Sequence, residues 1–179
     1  TTAEALDAVL DAASVGPTES IDATTASGRV LRQIIRAERD QPPFDRITMD
    51  GIAFTYSDYA GGQRSFPIQA MQAAGDEVLM LESAHCIEIM TGAALPGNAD
   101  CIVPVERITV TDGNAEIELD YEVKKDQFVH PRGSDYANGA HLLTHGKLIS
   151  PLDIAIIASC GFTELEVAAD PLVRVISTG

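Results

Sequence analysis

The stretch QPPFDRITMDGIAF, residues 41–54, decides how this chain is organised. Pro42 and Pro43 hold φ at about −65° and lack backbone donors, so neither a regular helix nor a central strand runs through them. Asp50 and Gly51 follow. This pair is typical of a turn in which the glycine takes a positive φ and the carboxylate faces outward. Taken alone, the pair indicates a surface turn with a solvated aspartate, so its meaning depends on the motifs around it.

Upstream of this stretch, the sequence predicts two helices. Thr1 and Glu4 fit a capping box ahead of apolar residues at helical spacing. Ser27 is a predicted N-cap for a second, short helix that runs to Leu31. Extended segments are predicted at residues 20–23 and 34–37. These elements belong to a mixed α/β domain.

Downstream of Gly51, the chain changes to short segments rich in β-branched residues and separated by turns. Strands are predicted at residues 52–56, 66–73, 77–81, 86–90, 101–110 and 115–119. Asp112, Gly113 and Asn114 are typical of a hairpin turn between the last two. The middle of the chain is therefore predicted to be a small, barrel-like all-β unit.

The helical pattern returns after Asp135. Ser150 is a predicted N-cap with Pro151 at the first helical position, and Gly161 ends that helix. Strands are predicted at residues 165–168 and 172–177. The fold class is α+β, mainly β: a discontinuous α/β domain (1–42 and 136–170) with an inserted β domain (43–135), and 171–179 as the first strand of a further domain.

The composition excludes several classes of function. The 179 residues include 27 acidic and 12 basic side chains, a net charge of −15, which disfavours binding to nucleic acids and anionic membranes. No apolar run approaches the roughly 20 residues of a membrane helix, and no signal segment opens the chain, so we expect a soluble, cytoplasmic protein. Cys86, Cys101 and Cys160 lie far apart among apolar neighbours and are predicted to be reduced core residues.

Both ends of the sequence indicate part of a longer protein. The chain begins without Met directly at a helix signal, and it ends on a predicted strand with no partner after it. A strand of a parallel sheet is buried only between neighbours. We therefore expect an excised N-terminal piece.

Three short motifs combine glycine with an oxygen-bearing side chain, namely Asp50-Gly51, Thr91-Gly92 and the Asp135 segment Gly133-Ser134-Asp135. Thr91 ends an apolar strand and is followed by small residues whose amides suit a phosphate or another oxyanion, although a Thr-Gly pair is also typical of a plain turn. Asp135 suits a metal or hydroxyl ligand, or a solvated ion pair with Arg132. His141 and His145 have helical spacing, but no further ligand completes a zinc set.

Taken together, the motifs resemble the N-terminal half of the MoeA family, the molybdopterin molybdenumtransferases, to which the gephyrin E domain belongs. The resemblance is carried by PPFD and MDGIA within residues 42–53, IMTGAALP with ADCIVPVE within 89–106, RGSD with later glycines within 132–146, and the final Ser-Thr-Gly of 173–179. Four motifs in order cover the whole chain.

The resemblance implies a transferase that inserts molybdate into adenylylated molybdopterin with Mg²⁺ and releases AMP in molybdenum cofactor biosynthesis. It implies that Asp50, Thr91 and Asp135 line the active cleft as catalytic residues, that Thr91, Gly92, Ala93 and Arg132 bind substrate, and that Asp50 and Asp135 bind Mg²⁺ directly or through water. It also implies a homodimer, contact with the molybdopterin adenylyltransferase, and a following pterin-binding domain without which this chain is inactive.

A physical argument fits these roles, because carboxylates contact anionic substrates favourably only through a divalent cation. Arg46, Ile47, Thr48 and Ile52 depart from the family pattern, which often has Asn-Ser-Ala and Tyr at these places. Two alternatives stay open: a non-catalytic dimerisation or scaffold module of the gephyrin type, and an unrelated acidic β-rich binding domain.

Overall fold

A computed structural model describes residues 1–175 and residue 177. Within these residues the α-helices are α1 (Thr2–Ala12), α2 (Tyr56–Ala60) and α3 (Pro151–Ser159). The strands are β1 (Thr18–Asp22), β2 (Ile35–Arg36), β3 (Arg46–Ile47), β4 (Gly51–Phe54), β5 (Ser65–Gln72), β6 (Cys86–Ile89), β7 (Cys101–Pro104), β8 (Ile108–Thr111), β9 (Asn114–Ile117), β10 (Val129–His130), β11 (His141–Leu143) and β12 (Glu164–Ala168).

The chain divides into two compact units. The β unit is residues 39–138, and the terminal unit comprises the described residues before and after it. The chain passes from one unit to the other between residues 38 and 39 and again between 138 and 139. The sequence predicts these boundaries at 42/43 and 135/136, within four residues of the observed ones.

Helix α1 begins at the predicted capping box. The Thr1 hydroxyl accepts a hydrogen bond from the Glu4 amide at 3.3 Å, and the Glu4 carboxylate bonds back to the terminal amine. The helix is confirmed, but it buries none of its side chains: Leu6, Val9 and Leu10 are 58%, 65% and 61% exposed. Its apolar face is therefore left uncovered by the described residues of the terminal unit.

Strands β1 and β12 pair antiparallel along their full length. On β12, Leu165 and Val167 are buried while Glu164 and Glu166 are exposed, which is the alternation of a strand with one face on a core. The strand predicted at 165–168 and its solvent-facing glutamates are confirmed.

The predicted helix from Ser27 to Leu31 is wrong. The Asp22 carboxylate accepts the Thr24 amide at 2.7 Å and caps a short 3-10 turn there. Leu31 forms an isolated β-bridge with Val167, and its amide donates to the Lys147 carbonyl at 2.8 Å. Once these backbone groups pair across the unit, they are not available for helical hydrogen bonds.

Helix α3 begins at Ser150 as predicted, with a reciprocal capping box. The Ser150 amide donates to the Asp153 carboxylate at 2.8 Å, and Lys147 bonds to the same carboxylate at 2.9 Å. Asp153 is only 4% exposed, so this acid is buried while Lys147 reaches it from the surface. The core of the terminal unit consists of small and aliphatic side chains: Ala23, Ala26, Leu31, Ile35, Leu143, Ile149, Ile157, Leu165 and Val167.

The β unit is organised around a six-stranded sheet in the order β7-β4-β6-β5-β9-β8, which curls into a half-barrel. Every pair is antiparallel except β5 with β6. All four residues of β4, an interior strand of this sheet, are buried. The predicted fold class, mainly β with few helices, is confirmed.

The turn between β8 and β9 has the predicted hairpin geometry. Asp112 and Gly113 both take positive φ, 49° and 76°. Two such residues match the right-handed twist of the flanking strands, which explains the Asp-Gly pair. The hairpin is confirmed.

Several predicted strands in the β unit differ from the structure. Residues 77–81 form no strand, and Met80 makes only a bridge to Gly97. The segment 101–110 is broken by a 3-10 turn at Val105–Arg107, and α2 takes over where a strand was predicted to reach Tyr56. At the end of the chain, residues 172–175 are not in a strand, while Ile176, Thr178 and Gly179 lie outside the described residues.

The core of the β unit contains two aromatic rings in contact, Phe54 and Phe66, with centroids 4.6 Å apart and planes tilted by 36°. Cys86 and Cys101 are buried in the same core. Burial raises the pKa of both thiols, that of Cys86 to about 12. Both thiols are therefore protonated and unreactive near neutral pH. All three cysteines are buried and free, as predicted.

Among the described residues, no helix combines the length and apolar character that a membrane crossing requires.

Candidate functional site

Strand β3 joins the three motif stretches. The Ile47 amide donates to the Ala93 carbonyl and the Ile47 carbonyl accepts from the Gly92 amide, each at 2.9 Å. On its other edge β3 pairs with β10, and the Thr48 amide donates to the Phe128 carbonyl at 3.0 Å. The fold therefore brings together the Met-Asp-Gly, Thr-Gly and Arg-Gly-Ser-Asp stretches, which are far apart in sequence.

The backbone at Asp50 is fixed by the end of β7 and the 3-10 turn that follows β7. The Asp50 carbonyl accepts the Val105 amide at 2.9 Å. A Cβ on Gly51 would lie 2.0 Å from the Val103 carbonyl oxygen, so only glycine permits β7 to approach this closely. The sequence predicts this glycine for a turn, whereas the structure shows it at the first position of β4. The close approach of a neighbouring strand is its physical reason.

The Asp50 carboxylate is held by Thr91. Its Oδ1 accepts hydrogen bonds from the Thr91 amide at 2.6 Å and the Thr91 hydroxyl at 2.7 Å. The hydroxyl bond, followed by the amide bond, lowers the pKa of Asp50, because both favour the ionised form. Both residues are exposed. The structure therefore presents an ionised, oriented carboxylate at the surface.

The amides after Thr91 already have backbone partners. Gly92 donates to Ile47 as described, and Ala93 donates to the Met90 carbonyl at 3.0 Å. The predicted contact between these amides and an anion stays a prediction. To bind these two amides, an anion would have to displace both backbone hydrogen bonds. In the structure the loop instead holds Asp50 through Thr91.

A buried glutamine, Gln72, bonds to the loop that follows Thr91. Gln72 is fully buried, donates to the Ala94 carbonyl at 2.7 Å and accepts the Leu79 amide at 2.8 Å. Buried amides that satisfy both ends of their side chain rigidify their surroundings. Sequence reasoning missed Gln72, which in the sequence is one of three polar residues in β5.

Arg132 does not pair with Asp135. Its Nε donates to Asp40 at 2.7 Å, and its backbone amide donates to Asp45 at 2.8 Å. Asp40 also accepts the Asn138 amide at 2.8 Å, and this bond, followed by that of Arg132, lowers the pKa of Asp40. The ion pair predicted as one alternative for Arg132 and Asp135 is wrong, because Asp40 is the partner that the fold supplies.

Asp135 instead contacts a histidine. The His130 Nε2 lies 3.0 Å from Asp135 Oδ1, and Arg46 Nη2 lies 3.2 Å from His130 Nδ1. The side chains of His130 and Asp135 are 29% and 45% exposed. Sequence reasoning missed both Arg46 and His130, which are Cα partners on β3 and β10.

A cleft of about 160 Å³ opens beside Asp50. Its walls are mostly aliphatic, with Ile52, Ile68 and Ile89 among them, and Glu88 adds a second carboxylate. Ile52 is fully buried. The departure from the family's Tyr at this place therefore leaves an aliphatic wall next to the candidate site.

The family model described as the MoeA N-terminal region, domains I and II, matches residues 1–161. The chain belongs to this family.

Relatives and solved structures agree with this assignment. The chain is 37% identical over 161 residues to a molybdopterin molybdenumtransferase of Synechocystis sp., covering 89% of this chain and 41% of that protein. It is 31% identical over 166 residues to molybdopterin molybdenumtransferase 2 of Mycobacterium tuberculosis, covering 89% and 40%. The crystal structure of a molybdopterin biosynthesis MoeA protein from Pyrococcus horikoshii OT3 has a TM-score of 0.85 at 26% identity, covering 94% and 46%. The chain thus spans less than half the length of these proteins.

For this MoeA N-terminal region, the donor set limits what metal site is possible. Among the described residues, no group of three or more His, Cys, Asp or Glu side chains is arranged to hold a metal ion. His141 lies on β11 instead of a helix, so the helical spacing to His145 brings no zinc pair together. Mg²⁺ binds through one or two carboxylates together with water and substrate phosphates. Asp50 fits that kind of site, and metal binding by Asp50 and Asp135 stays a prediction.

Proposed function

We propose that this chain forms the N-terminal part of a molybdopterin molybdenumtransferase, which inserts molybdate into adenylylated molybdopterin and releases AMP in the cytoplasm. The observation that carries the proposal is the Asp50 carboxylate held by the amide and the hydroxyl of Thr91. Three motifs of the family come together around β3. The Asp50–Thr91 pair joins two of them and lies at the surface.

The electrostatics of the pair support a cation-binding role. Both hydrogen bonds fall on one oxygen of Asp50, and they keep the carboxylate ionised. Molybdate and the pyrophosphate of the substrate are anions, so an ionised Asp50 repels them unless a cation intervenes. Mg²⁺ bound by Asp50 and Asp135 would neutralise that charge and polarise a substrate oxygen.

Thr91 takes a positioning role in this proposal. Its hydroxyl proton and its amide are both directed at Asp50. The hydroxyl oxygen keeps lone pairs that suit a cation or a water bound to it. Arg132 supplies a guanidinium anchored by Asp40, which suits an anionic group of the substrate.

The test is Mg²⁺- and molybdate-dependent AMP release, measured with the full natural protein that carries these 179 residues. Asp50→Asn should lower kcat/KM at least about 100-fold, comparable to the loss of a preorganised electrostatic group. Thr91→Val, which keeps the amide, should lower it about 10-fold. Asp120→Asn, on an exposed turn of the same unit, is the matched control. Full activity of Asp50→Asn would refute the proposal, and so would a wild-type protein that releases no AMP.

A second candidate is a non-catalytic dimerisation or scaffold module. It is favoured by the exposed apolar side chains of α1, which nothing described in the terminal unit covers. The homodimer belongs to both candidates, as does contact with an adenylyltransferase. Self-association with no AMP release in the assay above would favour the scaffold.

A further inference from the structure

We propose that Arg46 and His130 are positioning residues that orient the Asp135 carboxylate through a fixed histidine tautomer. The inference rests on the proposed function, in which Asp135 is a cation ligand. It assigns roles to two residues that the family motifs do not single out, and one of them, Arg46, stands where the family often has Asn.

The backbone sets up the arrangement. β3 and β10 pair antiparallel with His130 directly opposite Arg46. Cross-strand partners have Cβ atoms about 5 Å apart, within reach of a direct side-chain contact. Asp135 lies a few residues further along, and its amide donates to the Gln41 carbonyl at 2.9 Å. Three side chains from three places in the sequence thus form one row.

The hydrogen-bond chemistry assigns the tautomer. A guanidinium has only donors, so the His130 Nδ1 that lies 3.2 Å from Arg46 Nη2 must accept. The ring proton is then on Nε2, which lies 3.0 Å from Asp135 Oδ1 and donates to it. With this tautomer the ring accepts from Arg46 and donates to the Asp135 carboxylate at the same time.

Arg132, three residues before Asp135, does not take the place of His130 as the partner of this carboxylate. Arg132 Nε donates to Asp40 at 2.7 Å, and the side chain beside Asp135 Oδ1 is His130. Histidine donors on ligating carboxylates and carboxylates on ligating histidines orient metal sites in this way.

The first experiment is ¹H–¹⁵N long-range NMR of the histidine rings of this chain at neutral pH. Wild-type His130 should show a single tautomer protonated at Nε2. Arg46→Met should release the ring into a mixture of tautomers, whereas Arg36→Met, on strand β2, should change nothing at His130. A wild-type ring that is protonated at Nδ1 or averages both tautomers overturns the proposal, whatever the cation result.

The second experiment uses Mn²⁺ alone as the probe and follows paramagnetic broadening of the Asp135 amide. His130→Leu should weaken Mn²⁺ binding about 10- to 100-fold. His130→Gln, which keeps one donor and one acceptor, should restore it to within about 3-fold, and His141→Leu is the matched control. Equal Mn²⁺ affinity in wild type and His130→Leu overturns the proposal. A fixed tautomer without broadening at Asp135 in the wild type instead refutes the cation role and leaves the positioning intact.

Discussion

The β unit and the terminal unit bury their apolar side chains in different ways. In the β unit, Phe54 and Phe66 are fully buried between strands that pair along much of their length. In the terminal unit, the largest fully buried residues are aliphatic, and α1 leaves Leu6, Val9 and Leu10 exposed. A sheet that curls on itself can close its own core, whereas the apolar face of α1 needs a further surface to cover it.

Truncating a large core side chain in either unit should have the largest effect on stability. Phe66→Ala is expected to cost about 3–5 kcal/mol of unfolding free energy in the β unit, and Leu31→Ala about 2–4 kcal/mol in the terminal unit. Native-state hydrogen exchange measures both. We expect Phe66→Ala to lower protection at the amides of β4 and β6 and to spare those of β12. Equal losses in both units would mean that they unfold as one.

Gly51→Ala should separate two strands of the sheet. The new Cβ would meet the Val103 carbonyl oxygen at 2.0 Å, and a backbone atom cannot move aside as a side chain does. We expect a loss of about 3 kcal/mol, measured by urea denaturation. Gly16→Ala, where nothing lies within 4 Å of the added Cβ, is the control and should be nearly neutral. A neutral Gly51→Ala would show that β7 does not approach β4 this closely.

Asp153 gives the terminal unit a pH dependence. The Ser150 amide, the largest cause, lowers the pKa of Asp153, with further help from Lys147, against the effect of burial. Its stabilisation is therefore complete above the unfolded pKa of about 3.9 and is lost as the pH falls through the lower folded value. Asp153→Asn should cost about 1–2 kcal/mol near neutral pH.

Urea titrations from neutral to acidic pH measure this effect, and the gap between wild type and Asp153→Asn should close in acid. Asp11→Asn, on exposed α1, should show no such gap. A gap that stays constant down to acid would contradict the assigned role of the Asp153 charge.

Leu10→Ser should have the smallest effect on folding. Because Leu10 is 61% exposed, the unfolding free energy of the dilute protein should change by less than about 0.5 kcal/mol. If the α1 face contacts a second copy, the same change should weaken self-association in sedimentation equilibrium. Unchanged association would remove α1 from the dimer contact, and a large folding effect would show that the monomer covers this face.

Local signals in the sequence predicted the elements that depend on neighbours in the chain. The capping box at Thr1, the N-cap at Ser150 and the Asp112-Gly113 hairpin are formed as expected, because each is decided within a few residues. The helix predicted at Ser27 failed for the opposite reason. Its backbone groups pair with β12 and the Lys147 segment, more than a hundred positions away.

The candidate site divides along the same line. The motifs singled out Asp50, Thr91, Arg132 and Asp135 as residues that carry chemistry, but not their partners. Thr91 bonds to Asp50 across 41 positions, and Arg132 bonds to Asp40 across 92. His130 contacts Asp135 across 5. Even the shortest of these depends on Arg46 from a facing strand.

The sequence by itself determined the family, through the ordered motifs that resemble it. It also determined the mainly β fold, because periodicity and local turn chemistry are properties of short stretches. Only the tertiary structure decided the reason for Gly51, the buried support from Gln72, and the partners of Asp50, Arg132 and Asp135. Hydrogen bonds have a range of about 3 Å, so which donor meets which carboxylate depends on how distant strands come into register.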